Sequence, residues 1–109
     1  MKVFSVEITD SALSDMDEIY RYIRDVLRSP SAAANQYDGI AAEILSLDTM
    51  PERFMIPASP FFRAAGLHRM LVNNYSVFYL IQGDKVVVTD VLYSSSDIVS
   101  RLAEKHLET

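Results

Sequence analysis

The stretch that decides the fold covers residues 67–93 and reads LHRMLVNNYSVFYLIQGDKVVVTDVLY. Three runs rich in β-branched and aromatic residues, at 67–72, 75–81 and 85–93, are typical of strands. Asn73-Asn74 and Gly83-Asp84 separate the runs, and both dipeptides suit tight turns that require a positive φ. The pattern therefore predicts a three-stranded antiparallel meander. Its third strand contains Val86-Val87-Val88, which indicates a central strand or one covered on both faces.

The sequence upstream of the meander predicts one strand and a helical hairpin. Residues 3–8 alternate in the manner of a strand, and Thr9 and Asp10 offer side-chain oxygens that cap a helix. Apolar residues then recur every three or four positions up to Leu27, and the acids between them, Asp15 included, are expected mainly on the solvent face. Ser29-Pro30 ends this helix and starts a second one, which extends to about Asp48 and stops before Pro51. So short a link predicts an antiparallel pair.

Two further segments complete the chain. Residues 51–66 contain three prolines and a glycine and are expected to be irregular, although their many apolar residues must lie against the core or a partner. Residues 94–97 can cap a short last helix over Ile98–Leu107. The expected architecture is one α+β domain over residues 1–109, with an N-terminal strand, a helical hairpin, a three-stranded antiparallel meander and a short C-terminal helix.

Composition limits the classes of function. The 109 residues carry a net charge of −5 and no cysteine, which excludes disulfides and thiolate chemistry and disfavours binding of polyanions by overall charge. The charge is uneven: residues 1–50 hold four basic and nine acidic side chains, whereas residues 53–85 hold four basic and one acidic. An anion-binding surface is therefore expected on the sheet and the loop before it. Without a signal-like or membrane-spanning stretch, a cytoplasmic protein with no membrane partner is expected.

The usual motifs of enzyme sites are absent from the sequence. It contains no glycine-rich phosphate loop, no nucleophile elbow and no HExxH, and its two histidines are far apart. We therefore expect no metal and no cofactor.

Several segments together, in their order and spacing, resemble a known superfamily. They are DEIYRYI at 17–23, SPSAA at 29–33, ILSL at 44–47, GLHR at 66–69, NYSVFY at 74–79, VVV at 86–88 and DVLY at 90–93. In this respect the chain resembles the ParE/RelE superfamily of toxins from type II toxin–antitoxin systems, which includes plasmid stabilisation proteins. The resemblance implies a RelE/ParE-like fold and a growth-inhibiting toxin that a cognate antitoxin holds inactive.

The resemblance leaves two activities to consider for this chain, because members of the superfamily differ in what they do. Its RelE-like members cleave mRNA on the ribosome without a metal, which requires proton transfer and cations for the developing phosphorane charge. Arg69 matches one expected cation, but Ser76 and the Tyr93-Ser94-Ser95-Ser96 segment stand where others are expected. Because losing one such cation typically costs about 10²–10³ in rate, a ParE-like toxin that binds DNA gyrase is favoured. The alternatives are a ribosome-dependent endoribonuclease that uses Arg69 and Tyr93, and a decayed, non-toxic module that still binds its antitoxin; whether the chain is an enzyme stays open.

Two sets of residues are candidates for the contacts with partners. The target- or anion-binding candidates are Arg53, Arg63, Arg69 and Lys85. The antitoxin-binding candidates are the apolar side chains of the loop from Phe54 to Phe62, in particular Phe54, Phe61 and Phe62, together with the grooves around the helical hairpin. Of the adjacent Phe61 and Phe62 rings, one is expected to be buried and the other half-exposed.

Overall fold

The computed structural model describes residues 2–107, which form a four-stranded sheet with helices against both of its faces. The elements in chain order are β1 (Ser5–Ile8), α1 (Asp10–Arg21), a π-helical segment (Tyr22–Val26), α2 (Pro30–Leu45), 3₁₀ turns at Ser46–Asp48 and Pro51–Arg53, α3 (Pro60–Ala65), β2 (His68–Val72), β3 (Tyr75–Gln82), β4 (Lys85–Tyr93) and α4 (Ile98–Leu107). This order confirms the α+β architecture expected from the sequence.

The sheet has the spatial order β1-β4-β3-β2. Strands β2, β3 and β4 form the predicted antiparallel meander, and its two turns place Asn73 and Gly83 at positive φ, 54° and 62°. Strand β1 pairs parallel with β4, from Ser5 opposite Lys85 to Ile8 opposite Val88. Strand β4 therefore lies between β1 and β3, as its run of valines predicts.

The helical hairpin covers one face of the sheet. The buried core on this face combines side chains of both helices, of the 3₁₀ turn that follows α2 and of three strands: Ala12, Met16, Ile40, Ile44, Leu47, Met70, Val72, Val77, Tyr79, Val86, Val88 and Val91. Tyr79 is fully buried in this core, and its hydroxyl donates a hydrogen bond of 2.6 Å to the carbonyl oxygen of Pro51. This bond ties the loop after α2 to the centre of the sheet.

A second core lies on the opposite face, beneath α3 and α4. It consists of Phe62, Leu67, Phe78, Leu92, Ile98 and Leu102. The ring of Phe78 stacks on that of Phe62 with the centroids 5.5 Å apart. Because both faces of the sheet are covered, β3 is almost continuously apolar and residues 76–79 are all buried.

The first helix of the hairpin is less regular than its apolar spacing predicts. Regular α-helix ends at Arg21, and Tyr22–Val26 form a π-helical segment. A π-turn holds more residues than an α-turn, so it rotates the following side chains away from the apolar stripe. Ile23 stays buried, whereas Val26 and Leu27 are exposed.

The loop between the hairpin and the meander is more ordered than predicted. Residues 51–66, expected to be irregular, contain the 3₁₀ turn at Pro51–Arg53 and the short helix α3. Pro60 occupies the first turn of α3, and Gly66 ends it with a φ of 70°. These are the usual start and stop signals of a helix. The loop is apolar because Phe62 on α3 belongs to the second core.

Stability at alkaline pH should depend on Tyr79. Burial raises the pKa of its phenol from 10.0 to about 12. The folded chain thus keeps a proton that the unfolded chain loses near pH 10, so the free energy of unfolding should fall by about 2–3 kcal/mol as the pH rises from 10 to 12. Urea denaturation of the wild type and of Tyr79→Phe at pH 9, 10, 11 and 12 measures this. A variant with the same pH slope as the wild type would contradict the assignment.

Candidate functional site

Arg69 lies on β2 and is held in place by uncharged partners. In the sheet it stands opposite Phe78, and its guanidinium lies 5.9 Å from the centroid of that ring. Its Nε donates a 2.9 Å hydrogen bond to the hydroxyl of Ser76, which is fully buried. The Ser76 hydroxyl shares a further hydrogen bond of 2.8 Å with the hydroxyl of Ser94. The guanidinium is therefore oriented by a chain of two hydroxyls.

This arrangement leaves the outer edge of the guanidinium available. Within residues 2–107, its only hydrogen bond is the one from Nε to Ser76. Arg69 is half-buried, so the side chain is partly removed from water but still accessible. A fixed guanidinium with free terminal N–H groups suits bidentate binding of a carboxylate or a phosphate.

Tyr93, the second residue considered for cleavage, lies on the other face of the sheet. It stands opposite Tyr75, and the two rings meet edge to face with centroids 5.7 Å apart. Tyr75 packs against the core beneath the helical hairpin, whereas Phe78, opposite Arg69, belongs to the second core. The structure therefore does not bring Arg69 and Tyr93 together.

The other predicted cations occupy separate places. Arg53 donates hydrogen bonds to the carbonyl oxygens of Thr49 and Met50, and Lys85 lies 3.5 Å from a carboxylate oxygen of Glu7. Arg63 is exposed on α3. Arg53 and Lys85 are exposed as well but already contact neighbouring groups, whereas the terminal N–H groups of Arg69 have no hydrogen-bond partner among the described residues. Their role in binding a target stays a prediction.

The candidate aromatic residues of the loop point largely inward. Phe62 has 5% of its surface exposed, and Phe61 is half-buried and meets it edge to face at 5.4 Å. Phe54 is half-buried beneath the guanidinium of Arg53, 4.7 Å from its ring centroid. Met55 is the large apolar side chain that the loop exposes to solvent, with 81% of its surface accessible. The assignment of Phe54, Phe61 and Phe62 to an antitoxin contact stays a prediction, and Phe62 is the least accessible of the three.

A buried ionic cluster joins three elements of the fold. Lys105 on α4 places its Nζ 2.6 Å from Oδ2 of Asp15 on α1 and 2.6 Å from Oδ1 of Asp90 on β4. Oδ2 of Asp15 also accepts a hydrogen bond of 2.9 Å from the backbone N–H of Val91. The expectation that Asp15 faces solvent is wrong. Strand β1 ends opposite Val88, and at Val91 the carboxylate of Asp15 accepts the backbone hydrogen bond that a longer β1 would accept.

The electrostatics of this cluster follow from its burial. Burial raises the pKa of Asp15 above its ordinary value of 3.8, and the opposing effects of Lys105 and the Val91 N–H do not fully offset this. For Lys105, burial lowers the pKa, but the two carboxylates outweigh burial and raise it overall. Sequence signals for the cluster existed: Asp15 interrupts the apolar stripe between Ala12 and Ile19, and Asp90 interrupts the apolar run of β4.

Residues 2–107 offer neither a metal site nor a membrane span. Among the side chains that the structure describes, no three of His, Asp or Glu are grouped so as to hold a metal ion. None of the helices in the same range has the length and apolar character that a bilayer crossing requires.

The fold is that of the small toxins of toxin–antitoxin systems. It is similar to the chromosomal ParDE toxin–antitoxin system of P. aeruginosa, with 18% identity, a TM-score of 0.72 and coverage of 85% of this chain and 98% of that one. It is also similar to the RelBE2 toxin–antitoxin complex of Mycobacterium tuberculosis, with 19% identity, a TM-score of 0.62 and coverage of 88% and 97%. A mutant of the E. coli toxin RelE in the free state gives 13% identity, a TM-score of 0.62 and coverage of 95% and 97%.

The sequence identifies the family within this class. The family described as "ParE toxin of type II toxin-antitoxin system, parDE" matches residues 6–98. The chain therefore belongs to the ParE toxin family, which confirms the resemblance drawn from its segments. No curated protein matches the sequence.

Proposed function

We propose that this chain inhibits growth by binding a macromolecular target, DNA gyrase, and that a cognate antitoxin neutralises it. The main support for this proposal comes from the surroundings of Arg69. Among the described residues, the guanidinium of Arg69 has the neutral hydroxyl of Ser76 as its only hydrogen-bond partner, and Tyr93 lies on the opposite face. Metal-free RNA cleavage needs proton transfer and several cations around one phosphate, which this arrangement does not assemble.

Membership of the ParE family supports the same proposal. The family description names a toxin of the parDE type, and the structural relatives from P. aeruginosa and M. tuberculosis are described as a toxin–antitoxin system and a toxin–antitoxin complex. The net charge of −5 also disfavours ribosomes and mRNA, both polyanions, as the target. Action on gyrase would place the protein in the cytoplasm.

Arg69 is the residue we expect to contact the target. Its guanidinium is oriented before binding, so little conformational entropy is lost when it pairs with a carboxylate. Arg63, exposed on the neighbouring α3, could add a second charge on the same side. A protein surface that carries acidic side chains is the partner that this chemistry suits.

Parallel assays on the purified chain test the proposal. One assay measures DNA supercoiling by gyrase, and the other follows mRNA integrity in a translating extract. Inhibited supercoiling with intact mRNA is the expected result. Codon-specific cleavage of ribosome-bound mRNA without an effect on gyrase would favour the endoribonuclease alternative. Failure in both assays, with retained binding of the antitoxin, would identify the decayed module instead.

The Arg69→Ala variant should inhibit gyrase about 10- to 100-fold less strongly than the wild type. Hydrogen bonds to charged groups contribute about 1.5–3 kcal/mol, which corresponds to that range. The concentration that halves supercoiling measures the effect. Arg24→Ala is the matched control, because Arg24 is exposed and its side chain contacts neighbours on its own helix, Asp25 by a salt bridge and the ring of Tyr20 at 5.5 Å. Equal inhibition by Arg69→Ala and the wild type would exclude Arg69 from the target contact.

A further inference from the structure

Strand β3 carries a serine at a place where the other buried side chains of the strand are apolar or aromatic. Ser76 has no exposed surface, and its cross-strand neighbours are Leu71 on β2 and Leu92 on β4. A hydroxyl buried in such surroundings costs stability unless it is hydrogen-bonded, and an alanine or a valine would fill the position without that cost. The hydroxyl of Ser76 therefore serves something other than packing, and its hydrogen bonds indicate what.

Ser76 links the guanidinium of Arg69 to the hydroxyl of Ser94. Nε of Arg69 donates to Oγ of Ser76 at 2.9 Å, and Oγ of Ser76 lies 2.8 Å from Oγ of Ser94. Because an arginine only donates, the oxygen of Ser76 accepts from it, and the proton of Ser76 is free to bind Ser94. Ser94 is itself fixed through its backbone N–H, which donates a hydrogen bond of 2.8 Å to the carbonyl oxygen of Asn74. We call Ser76 and Ser94 the serine pair.

The serine pair orients the guanidinium of Arg69 without cancelling its charge. A carboxylate in the place of Ser76 would hold Nε as well, but it would also neutralise the cation that an anionic partner has to meet. Asp90 stands in the same cross-strand row, but Phe78 lies between it and Arg69, and Oδ1 of Asp90 is 2.6 Å from Nζ of Lys105. The terminal N–H groups of Arg69 have no hydrogen-bond partner among the described residues, so they are available to an anion from outside the chain.

We propose that Ser76 and Ser94 are positioning residues for the contact between Arg69 and the target. Ser76 fixes the direction of the guanidinium, and Ser94 acts through Ser76 by fixing the orientation of its hydroxyl. The inference rests on the proposed function, since it assumes that Arg69 meets an acidic side chain of the target. A guanidinium that is oriented in advance loses less conformational freedom on binding, which strengthens a bidentate contact with a carboxylate.

The first experiment measures the order of the guanidinium by NMR in the purified full chain. The ¹⁵N order parameter of the Nε–H group of Arg69, assigned as the signal that Arg69→Ala removes, is compared among the wild type, Ser76→Ala, Ser94→Ala and Ser95→Ala. Ser95→Ala is the matched control, because Ser95 is exposed and its side chain has no hydrogen-bond partner among the described residues. The order parameter should be about 0.85, as in rigid groups, in the wild type and the control, and below about 0.6 in Ser76→Ala. Ser94→Ala should lie between them.

The second experiment measures inhibition of gyrase supercoiling by the same variants, with thermal melts to verify that each one folds. Ser76→Ala should inhibit about three- to tenfold less strongly than the wild type, because Arg69 must then be ordered on binding. Ser94→Ala should inhibit about two- to threefold less strongly, and Ser95→Ala should behave as the wild type. Because Ser94 acts through Ser76, the double variant should match Ser76→Ala alone. In the Arg69→Ala background, Ser76→Ala should have no further effect.

The two measurements separate this inference from the proposed function. An unchanged order parameter in Ser76→Ala would overturn the positioning role, as would a lowered order parameter with unchanged inhibition. Equal weakening by Ser94→Ala and Ser95→Ala, or effects of the serine pair that multiply in the double variant, would overturn the action of Ser94 through Ser76. A wild-type chain that leaves supercoiling unaffected, while the order parameter falls in Ser76→Ala, would contradict the proposed function and support the orienting role of the serine pair.

Discussion

Replacing Lys105 with methionine should lower the free energy of unfolding by about 3 kcal/mol at pH 7. The substitution keeps most of the side-chain volume but leaves the carboxylates of Asp15 and Asp90 without their cation. The side chain of Asp90 is fully buried and that of Asp15 is 11% exposed. Breaking a buried ion pair from one side typically costs 3–5 kcal/mol, and the 26% exposure of Lys105 places the effect at the lower end. Urea denaturation followed by circular dichroism measures it.

The pH dependence of that loss distinguishes charge from packing. The folded state already holds the proton of Asp15 more tightly than the unfolded state, so ionisation above pH 3.8 costs stability as the pH rises. Without Lys105, the ionisation of Asp15 should destabilise the folded state more strongly. The difference in the free energy of unfolding between the wild type and Lys105→Met should therefore shrink as the pH falls from 7 toward 4. Combining Lys105→Met with Asp15→Asn and Asp90→Asn should recover much of the loss at pH 7. An equal deficit at both pH values would show that the methylene groups of Lys105 matter, and not its charge.

Phe78→Ala should cost about 3–5 kcal/mol, the usual range for a fully buried phenylalanine. Phe78 has no exposed surface, and its ring lies between Phe62 of α3 and the guanidinium of Arg69. The truncation leaves a cavity in the second core. The cavity closes only if α3 and α4 shift toward the sheet. The free energy of unfolding, from urea denaturation at pH 7, measures the loss.

Phe61→Ala is the matched control for this truncation. Phe61 is half-buried and touches the same cluster from its rim, so about 1 kcal/mol should be lost. If the two variants were equally stable, the second core would contribute far less than its burial implies, and α3 and α4 would be held by other contacts.

The meander could be predicted because its signals are local. Asn73 and Gly83 stand at the turns, each at positive φ, and the apolar runs between them have the length of strands. The start and stop signals of α3, Pro60 and Gly66, are equally local. The other prolines of residues 51–66 hide them, because several prolines close together are typical of an irregular loop. The π-helical segment had no such signal, since the apolar spacing through Leu27 is compatible with a regular helix.

The candidate site could be predicted only in part, because it depends on pairings between distant residues. Arg69 stood out as a base in a β-rich, positively charged stretch. Its separation from Tyr93 depends on the register of β2, β3 and β4, including the irregularity between Phe78 and Tyr79. The ionic cluster joins Asp15 to Lys105 across 90 positions of the chain, a distance over which local patterns carry no information.

The parallel pairing of β1 with β4 also constrains how the protein is made. Residues 3 and 4 find their backbone partners at Thr49 and Asp48, but residues 5–8 pair with 85–88, so β1 lacks its neighbouring strand until most of the polypeptide has been synthesised. At translation rates of about 5–20 residues per second, that wait is roughly 4–16 s. During it, the nascent chain has the hairpin helices but not the central strand against which they pack. A toxin built this way cannot complete its sheet before its synthesis is nearly finished, which gives an antitoxin already present in the cell time to meet it as it folds.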